Sequence, residues 1–177
     1  DASYEPVVAG DTLVVGSPID GSVCACEVAT GRECWRFYTE GPVRFAPVLT
    51  KERVYAASDD GYLYCLLLAD GTLVWKGRGA PDDQPDRRHL GNNRLVSHWP
   101  VRGGPVLADG CVYFAAGIWP TMGVYLLAVD AETGAVRWRN GKLTVIENVR
   151  LDHNELGTSG LSPQGYLLVH GELLLVP

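Results

Sequence analysis

The sequence predicts an all-β chain: a β-propeller of four-stranded antiparallel blades, present as an incomplete arc of about three and a half blades. Three observations carry this expectation. Gly-x-x-x-Trp occurs three times, at Gly31 to Trp35, Gly71 to Trp75 and Gly134 to Trp138. The first two tryptophans stand 40 residues apart, and so do Asp20-Gly21 and Asp60-Gly61. No stretch sustains a helical period, whereas short β-branched and aromatic runs alternate with glycine turns throughout. Four short strands per repeat of about 40 residues is the spacing of a propeller blade.

Each unit opens on Pro-Val-Leu or a relative of it: Pro6-Val7-Val8, Pro47-Val48-Leu49 and Pro105-Val106-Leu107. A polar turn follows, then a second strand such as Val54 to Ala57. Asp60-Gly61 supplies the next turn, where glycine provides the positive φ of a tight hairpin. Tyr62 to Leu68 forms the third strand, Asp70-Gly71 turns, and Thr72 to Trp75 forms the fourth. Aligned on Gly31, Gly71 and Gly134, the small residues Ala25, Cys65 and Ala128 share one column. Leu167 to Leu175 repeats only the opening hairpin of a fourth unit. The blade-like units therefore span about 5–40, 46–77, 104–140 and 165–177 of a single partial propeller domain, 1–177. An insertion at 78–102 and a long linker at 140–164 separate them.

Composition fits this class. Apolar residues make up 46% of the 177, enough to bury a sizeable core by length. A net charge of −6 argues against a nucleic-acid surface, which needs a basic face. No apolar run approaches the ~18 residues that span a membrane as a helix. The five cysteines, Cys24, Cys26, Cys34, Cys65 and Cys111, make a poor disulfide framework and read as buried small hydrophobes. Cys24-x-Cys26 with Cys34 lacks a fourth ligand at zinc spacing.

Ala128 to Trp138 reads Ala-Val-Asp-Ala-Glu-Thr-Gly-Ala-Val-Arg-Trp, and Ala25 to Trp35 repeats it with glutamate for aspartate. Cys65 to Trp75 keeps the small residue, the glycine and the tryptophan. This pattern resembles the A-x-D-x-x-T-G-x-x-x-W signature of the quinoprotein (PQQ-like) β-propeller repeat family. The resemblance implies that Trp35, Trp75 and Trp138 each stack on a neighbouring blade's turn, and all three are expected at equivalent positions and largely buried. It is closest in type to members like the non-catalytic outer-membrane assembly scaffold, which bind no quinone. It also implies a periplasmic or other extracytoplasmic setting. The dehydrogenase members use adjacent cysteines, a calcium site and an aspartate base. This chain has no adjacent cysteines, and Asp59-Asp60 on a repeat turn is weak evidence for calcium. The expectation is therefore no cofactor, with pyrroloquinoline quinone and calcium disfavoured.

The insertion carries five arginines against three aspartates in an otherwise acidic chain. On one reading Arg87, Arg88, Arg94, His98 and Trp99 line a contact surface near the propeller mouth, since loops on a rigid scaffold carry binding function. On the other, the arginines pair with Asp82, Asp83 and Asp86 while Trp99 pins the loop to the sheet. Gly117 to Gly123 replaces the usual Asp-Gly turn, and its Trp119 and Met122 offer either a partner contact or cover for a blade. Asp152, His153, Asn154 and Glu155 form a small polar cluster, either a metal or proton-relay site or a plain surface. No nucleophile elbow and no glycine-rich phosphate loop is present. The expected function is a non-catalytic propeller segment of a larger bacterial protein, presenting a surface to a protein or ligand or to further blades of the same chain. The alternatives are part of a quinone-dependent dehydrogenase, or a regulatory propeller attached to another enzyme domain.

Overall fold

The computed structural model describes residues 4–91, 93–142, 145–150, 155–160 and 162–177. Three four-stranded antiparallel sheets follow one another along the chain, each ordered 1-2-3-4. The first contains β1 (Val7–Ala9), β2 (Thr12–Gly16), β3 (Ser22–Glu27) and β4 (Glu33–Tyr38). The second contains β5 (Val48–Leu49), β6 (Arg53–Ala57), β7 (Tyr62–Leu67) and β8 (Leu73–Arg78). A hairpin of β9 (Arg88–Gly91) and β10 (Arg94–Ser97) intervenes. The third sheet contains β11 (Val106–Ala108), β12 (Cys111–Ala116), β13 (Tyr125–Asp130) and β14 (Val136–Asn140). Two further hairpins pair β15 (Ile146–Arg150) with β16 (Leu156–Ser159), and β17 (Leu168–His170) with β18 (Leu173–Leu175). The linker predicted at 140–164 thus carries β15 and β16. The chain is a partial β-propeller.

The middle sheet shows why the sequence folds this way. Successive strand residues face opposite sides. Val54, Ala56, Tyr64 and Leu66 enter the core shared with the first sheet. Tyr55, Ala57, Leu63 and Cys65 enter the core shared with the third. A sheet covered on both faces needs apolar residues at every position, so β6 and β7 read as continuous apolar runs instead of alternating ones.

The tryptophans occupy one position in three sheets: Trp35 opposite Ala25, Trp75 opposite Cys65 and Trp138 opposite Ala128. Each pairing is followed by a one-residue register shift. Trp35 Nε1 donates to the Leu68 carbonyl of the next sheet at 2.8 Å, and Trp75 Nε1 donates to the Ala131 carbonyl at 3.1 Å. Leu68 and Ala131 each lie three residues before a turn glycine, Gly71 and Gly134, so one docking contact is made twice. Burial differs from the sequence expectation. Trp35 is buried and Trp75 half-buried, but Trp138 is 41% exposed. Trp138 stacks on Tyr113 of its own sheet, with ring centroids 6.1 Å apart. The structure describes no equivalent glycine turn of a fourth unit against it.

The signature residues explain themselves at the third turn. Asp130 Oδ1 accepts hydrogen bonds from the backbone N–H groups of Glu132 and Thr133 and from Thr133 Oγ1. Arg137 Nη2 donates to Asp130 Oδ2 at 2.6 Å. In the first sheet Thr30 Oγ1 donates to Glu27 in the same role. Gly31, Gly71 and Gly134 all adopt φ between 71° and 74°.

A candidate binding face on the linker side

In a sheet ordered 1-2-3-4, the β2–β3 turn and the exit of the fourth strand lie at the same end. The linkers between sheets therefore share one face of the arc with turns such as Asp59-Asp60-Gly61. The first strands converge on the inner side, β1 against β5 and β11 against β17. The insertion, the Gly117–Gly123 turn and the residues preceding each first strand all belong to this linker face.

The insertion is more ordered than a loop of that length predicts. Leu90 pairs with Leu95 across the β9–β10 hairpin, and His89 pairs with Val96. Arg88 donates to Glu40 of the preceding linker at 2.6 Å and lies 3.5 Å from Asp86. Ser97 N–H donates to the Asp59 carbonyl, and Val101 N–H donates to that of Ser58. These bonds fix the C-terminal end of the insertion to the β6–β7 turn, and Gly79 N–H, donating to the Gly61 carbonyl at 3.0 Å, fixes the other end. Trp99 is buried, and its Nε1 donates to the Met122 carbonyl at 2.8 Å. It pins the insertion and is not part of an open contact surface. His98 stacks edge-on against Trp99, 4.7 Å between centroids. Burial, followed by the neighbouring His89 and Arg87, lowers its pKa below the ordinary histidine value.

Other predicted contact residues are exposed. Arg87 and Arg94 lie open, and Trp119 stands exposed at the start of the single-turn 3-10 segment Pro120–Met122. Arg94 and Leu95 border a cleft of about 180 Å³ whose other wall is Ile19, Asp20, Glu40 and Pro42. The cross-strand pair Leu90 and Leu95 is 74% and 53% exposed, and Ile19 across the cleft is exposed as well.

Sequence reasoning missed a second cluster on this face. Asp59, on the β6–β7 turn, is 1% exposed. Arg44 Nε donates to its Oδ2 at 2.6 Å. Arg102 donates from Nη2 to Oδ2 at 2.6 Å and from Nε to Oδ1 at 3.2 Å. The signal was present as a repeat, Pro42-Val43-Arg44 and Pro100-Val101-Arg102, each arginine four residues before a first strand. Asp60 is equally buried but turns to other partners: it accepts from Tyr64 Oη and from the Glu40 and Tyr62 N–H groups. Its burial raises its pKa, and burial pushes the Tyr64 hydroxyl up as well. Tyr166, just before β17, reaches back to accept the Ala46 N–H at 2.9 Å and stacks edge-on against Phe45. Its ring fills the space above Gly104, where a β-carbon would stand 1.9 Å from Cδ1.

The cysteines only partly match their expected burial. Cys24 and Cys65 are buried, Cys26 and Cys111 half-buried and Cys34 exposed, all free. Cys24 and Cys26 share one face of β3 with sulfurs 3.8 Å apart, and burial followed by the Cys26 contact pushes the Cys24 thiol up to about 12. Of the Asp152 to Glu155 cluster, Asp152, His153 and Asn154 lie outside the described residues, and Glu155 is exposed. Among the described residues no three His, Cys, Asp or Glu side chains gather as a metal site, and no helix is long and apolar enough to cross a membrane.

The stacked sheets, tryptophan-to-turn docking and Ala-x-Asp-x-x-Thr-Gly turn define a propeller of PQQ-like repeats. A family model described as outer membrane protein assembly factor BamB matches residues 1–93, more than half of the chain, and the chain belongs to that family. It is 28% identical over 187 aligned positions to tetrathionate hydrolase of Acidithiobacillus ferrooxidans, covering 96% of this chain but only 35% of that protein. Among solved structures it superposes on BamB from Moraxella catarrhalis with a TM-score of 0.63 at 17% identity, covering 93% of this chain and 43% of that one. It superposes on quinohemoprotein alcohol dehydrogenase from Comamonas testosteroni with a TM-score of 0.63 at 24% identity, covering 79% and 21%. The chain thus spans about a third of the length of the hydrolase and less than half of either solved structure.

Proposed function

We propose that this chain is the binding part of a non-catalytic propeller and holds a protein partner on its linker face. The observation that carries this reading is the Leu90–Leu95 pair, exposed on a hairpin that is itself fixed in place. Large apolar side chains held out on a rigid rim are the usual core of a protein interface, and the flanking arginines and acids of the cleft supply a polar rim. Membership in the BamB family supports a scaffold role and an extracytoplasmic setting.

The reading includes no quinone cofactor. A quinone of that type needs a flat clamp, cations for its carboxylates and a metal at its reactive carbonyl. Cys24 and Cys26 are separated by a residue, and both oxygens of Asp59 accept from arginines. The test is titration of the full-length protein with pyrroloquinoline quinone and calcium, followed by absorbance and dye-linked alcohol oxidation. No uptake and no turnover are expected. Stoichiometric uptake with turnover would promote a dehydrogenase.

One observation favours a second reading. The match to tetrathionate hydrolase runs over nearly the whole chain, so the chain is alternatively one portion of an enzyme acting on sulfur oxyanions. Release of sulfur products from tetrathionate by the full-length protein would establish it.

A further inference from the structure

We propose that Arg44 and Arg102 form a binding site for a small oxyanion on the linker face, with Asp59 as the residue that positions them. The site uses none of the hairpin residues invoked above, so it stands or falls separately from the partner surface.

Two equivalent positions in successive linkers carry the same residue, and both turn to one carboxylate. Arg44 Nε and Arg102 Nη2 each lie 2.6 Å from Asp59 Oδ2, so these cationic nitrogens are no more than about 5 Å apart. Two guanidiniums against one carboxylate leave a positive charge unbalanced within the cluster. Neighbouring acids do not cancel it by contact. Asp60 is bonded to Tyr64 and to the Glu40 and Tyr62 N–H groups, and Glu40 is paired with Arg88. The arginine side chains keep 29% and 19% of their surface open, so the charge is accessible.

Donors also remain. Arg44 spends only Nε on a described residue, and Arg102 spends Nε and Nη2. Arg44 Nη1 and Nη2 and Arg102 Nη1 bond no described residue, and a guanidinium fork suits an acceptor with two or more oxygens. The buried carboxylate holds both forks in place, which lowers the ordering cost of binding. The ring of Tyr166, stacked edge-on against Phe45, lies over Gly104, two residues beyond Arg102. In the fourth unit Gln164 stands at the matching place, four residues before β17, and its Nε2 donates to Ser162 Oγ at 3.2 Å. The ligand class is a sulfate-like or carboxylate oxyanion.

The experiment is isothermal titration of the full-length protein with sodium sulfate, and separately sodium acetate, at constant ionic strength held with chloride. Saturable sulfate or acetate binding is expected, and the tighter of the two identifies the source of the oxyanion. Arg44→Gln should weaken it at least tenfold with circular dichroism unchanged, because Arg102 still satisfies Asp59 through two bonds. Arg44→Lys should recover part of the affinity. Arg137→Gln, an exposed arginine on the opposite face, should leave it unchanged. If neither anion binds saturably, or if Arg44→Gln and Arg137→Gln behave alike, the cluster is a structural ion triad and the proposal is overturned.

Discussion

The indole of Trp35 lies against the α-carbon of Gly71 in the next sheet, so closely that a β-carbon there would stand 2.5 Å from Cε3. Trp75 and Gly134 repeat the relationship, with the nearest indole carbon at 2.7 Å. Gly31 adopts the same backbone conformation but has nothing within 4 Å. These three glycines separate backbone strain from packing. Gly31→Ala should cost about 1 kcal/mol from its positive φ alone. Gly71→Ala and Gly134→Ala add the clash with a ring that has no room to retreat, and should cost about 2–4 kcal/mol. Urea unfolding of the three variants checks the order. Equal losses would mean that the tryptophan does not dock on the turn.

The tryptophans should differ in the same way. Trp35→Ala should cost about 3–5 kcal/mol, the range for a large buried aromatic. Trp138, open on one side, should cost about 1 kcal/mol in this chain. Chemical denaturation midpoints at matched pH distinguish them, and a Trp138 loss equal to that of Trp35 would contradict the exposure seen here.

Asp59 should be more sensitive than either arginine that it holds. Removing a buried carboxylate leaves two facing guanidiniums, so Asp59→Ala should cost about 2–4 kcal/mol, less than a fully buried pair because the arginines reach solvent. Arg44→Gln removes one bond and leaves two, and should cost about 1 kcal/mol. The comparison is made by thermal unfolding at fixed ionic strength.

The signature turn predicts an acid-side effect. The hydrogen bond from Arg137, then those from Thr133, lower Asp130 from the ordinary value of 3.8 to about 2. A carboxyl with a depressed folded pKa contributes stability that is present above its unfolded value and lost as pH falls through the folded one. The stability difference between the wild type and Asp130→Asn should therefore be constant above about pH 4–5 and shrink between there and about pH 2. Urea midpoints across that range measure it, and a difference independent of pH would place the stabilisation elsewhere.

The repeat was legible because it is periodic: one tryptophan, one positive-φ glycine and one small residue per sheet leave fixed spacings. The hairpin at 88–97 was not, because only four residues form each strand and Leu90 and Leu95 face solvent instead of alternating against a core. For Trp99 the sequence leaves a contact surface and a pin on the loop both open, because the indole N–H partner 23 residues away that makes it a pin is not revealed by spacing. Asp59 and its arginines were hidden for a similar reason. The duplicated Pro-Val-Arg is visible in the sequence, but the carboxylate on which both copies converge lies in a turn between them. The exposure of Trp138 follows from its neighbour, which its own repeat does not encode.

Whether the linker face holds a protein partner is decided by site-specific photocrosslinking in the organism that makes the full-length protein. A photoreactive residue is placed at Leu95, and in a control at Arg32 on the opposite face. A discrete adduct is expected from Leu95, lost when Leu90→Asp is added, and none from Arg32. No adduct from Leu95, or the same adducts from both positions, would contradict a partner on this face.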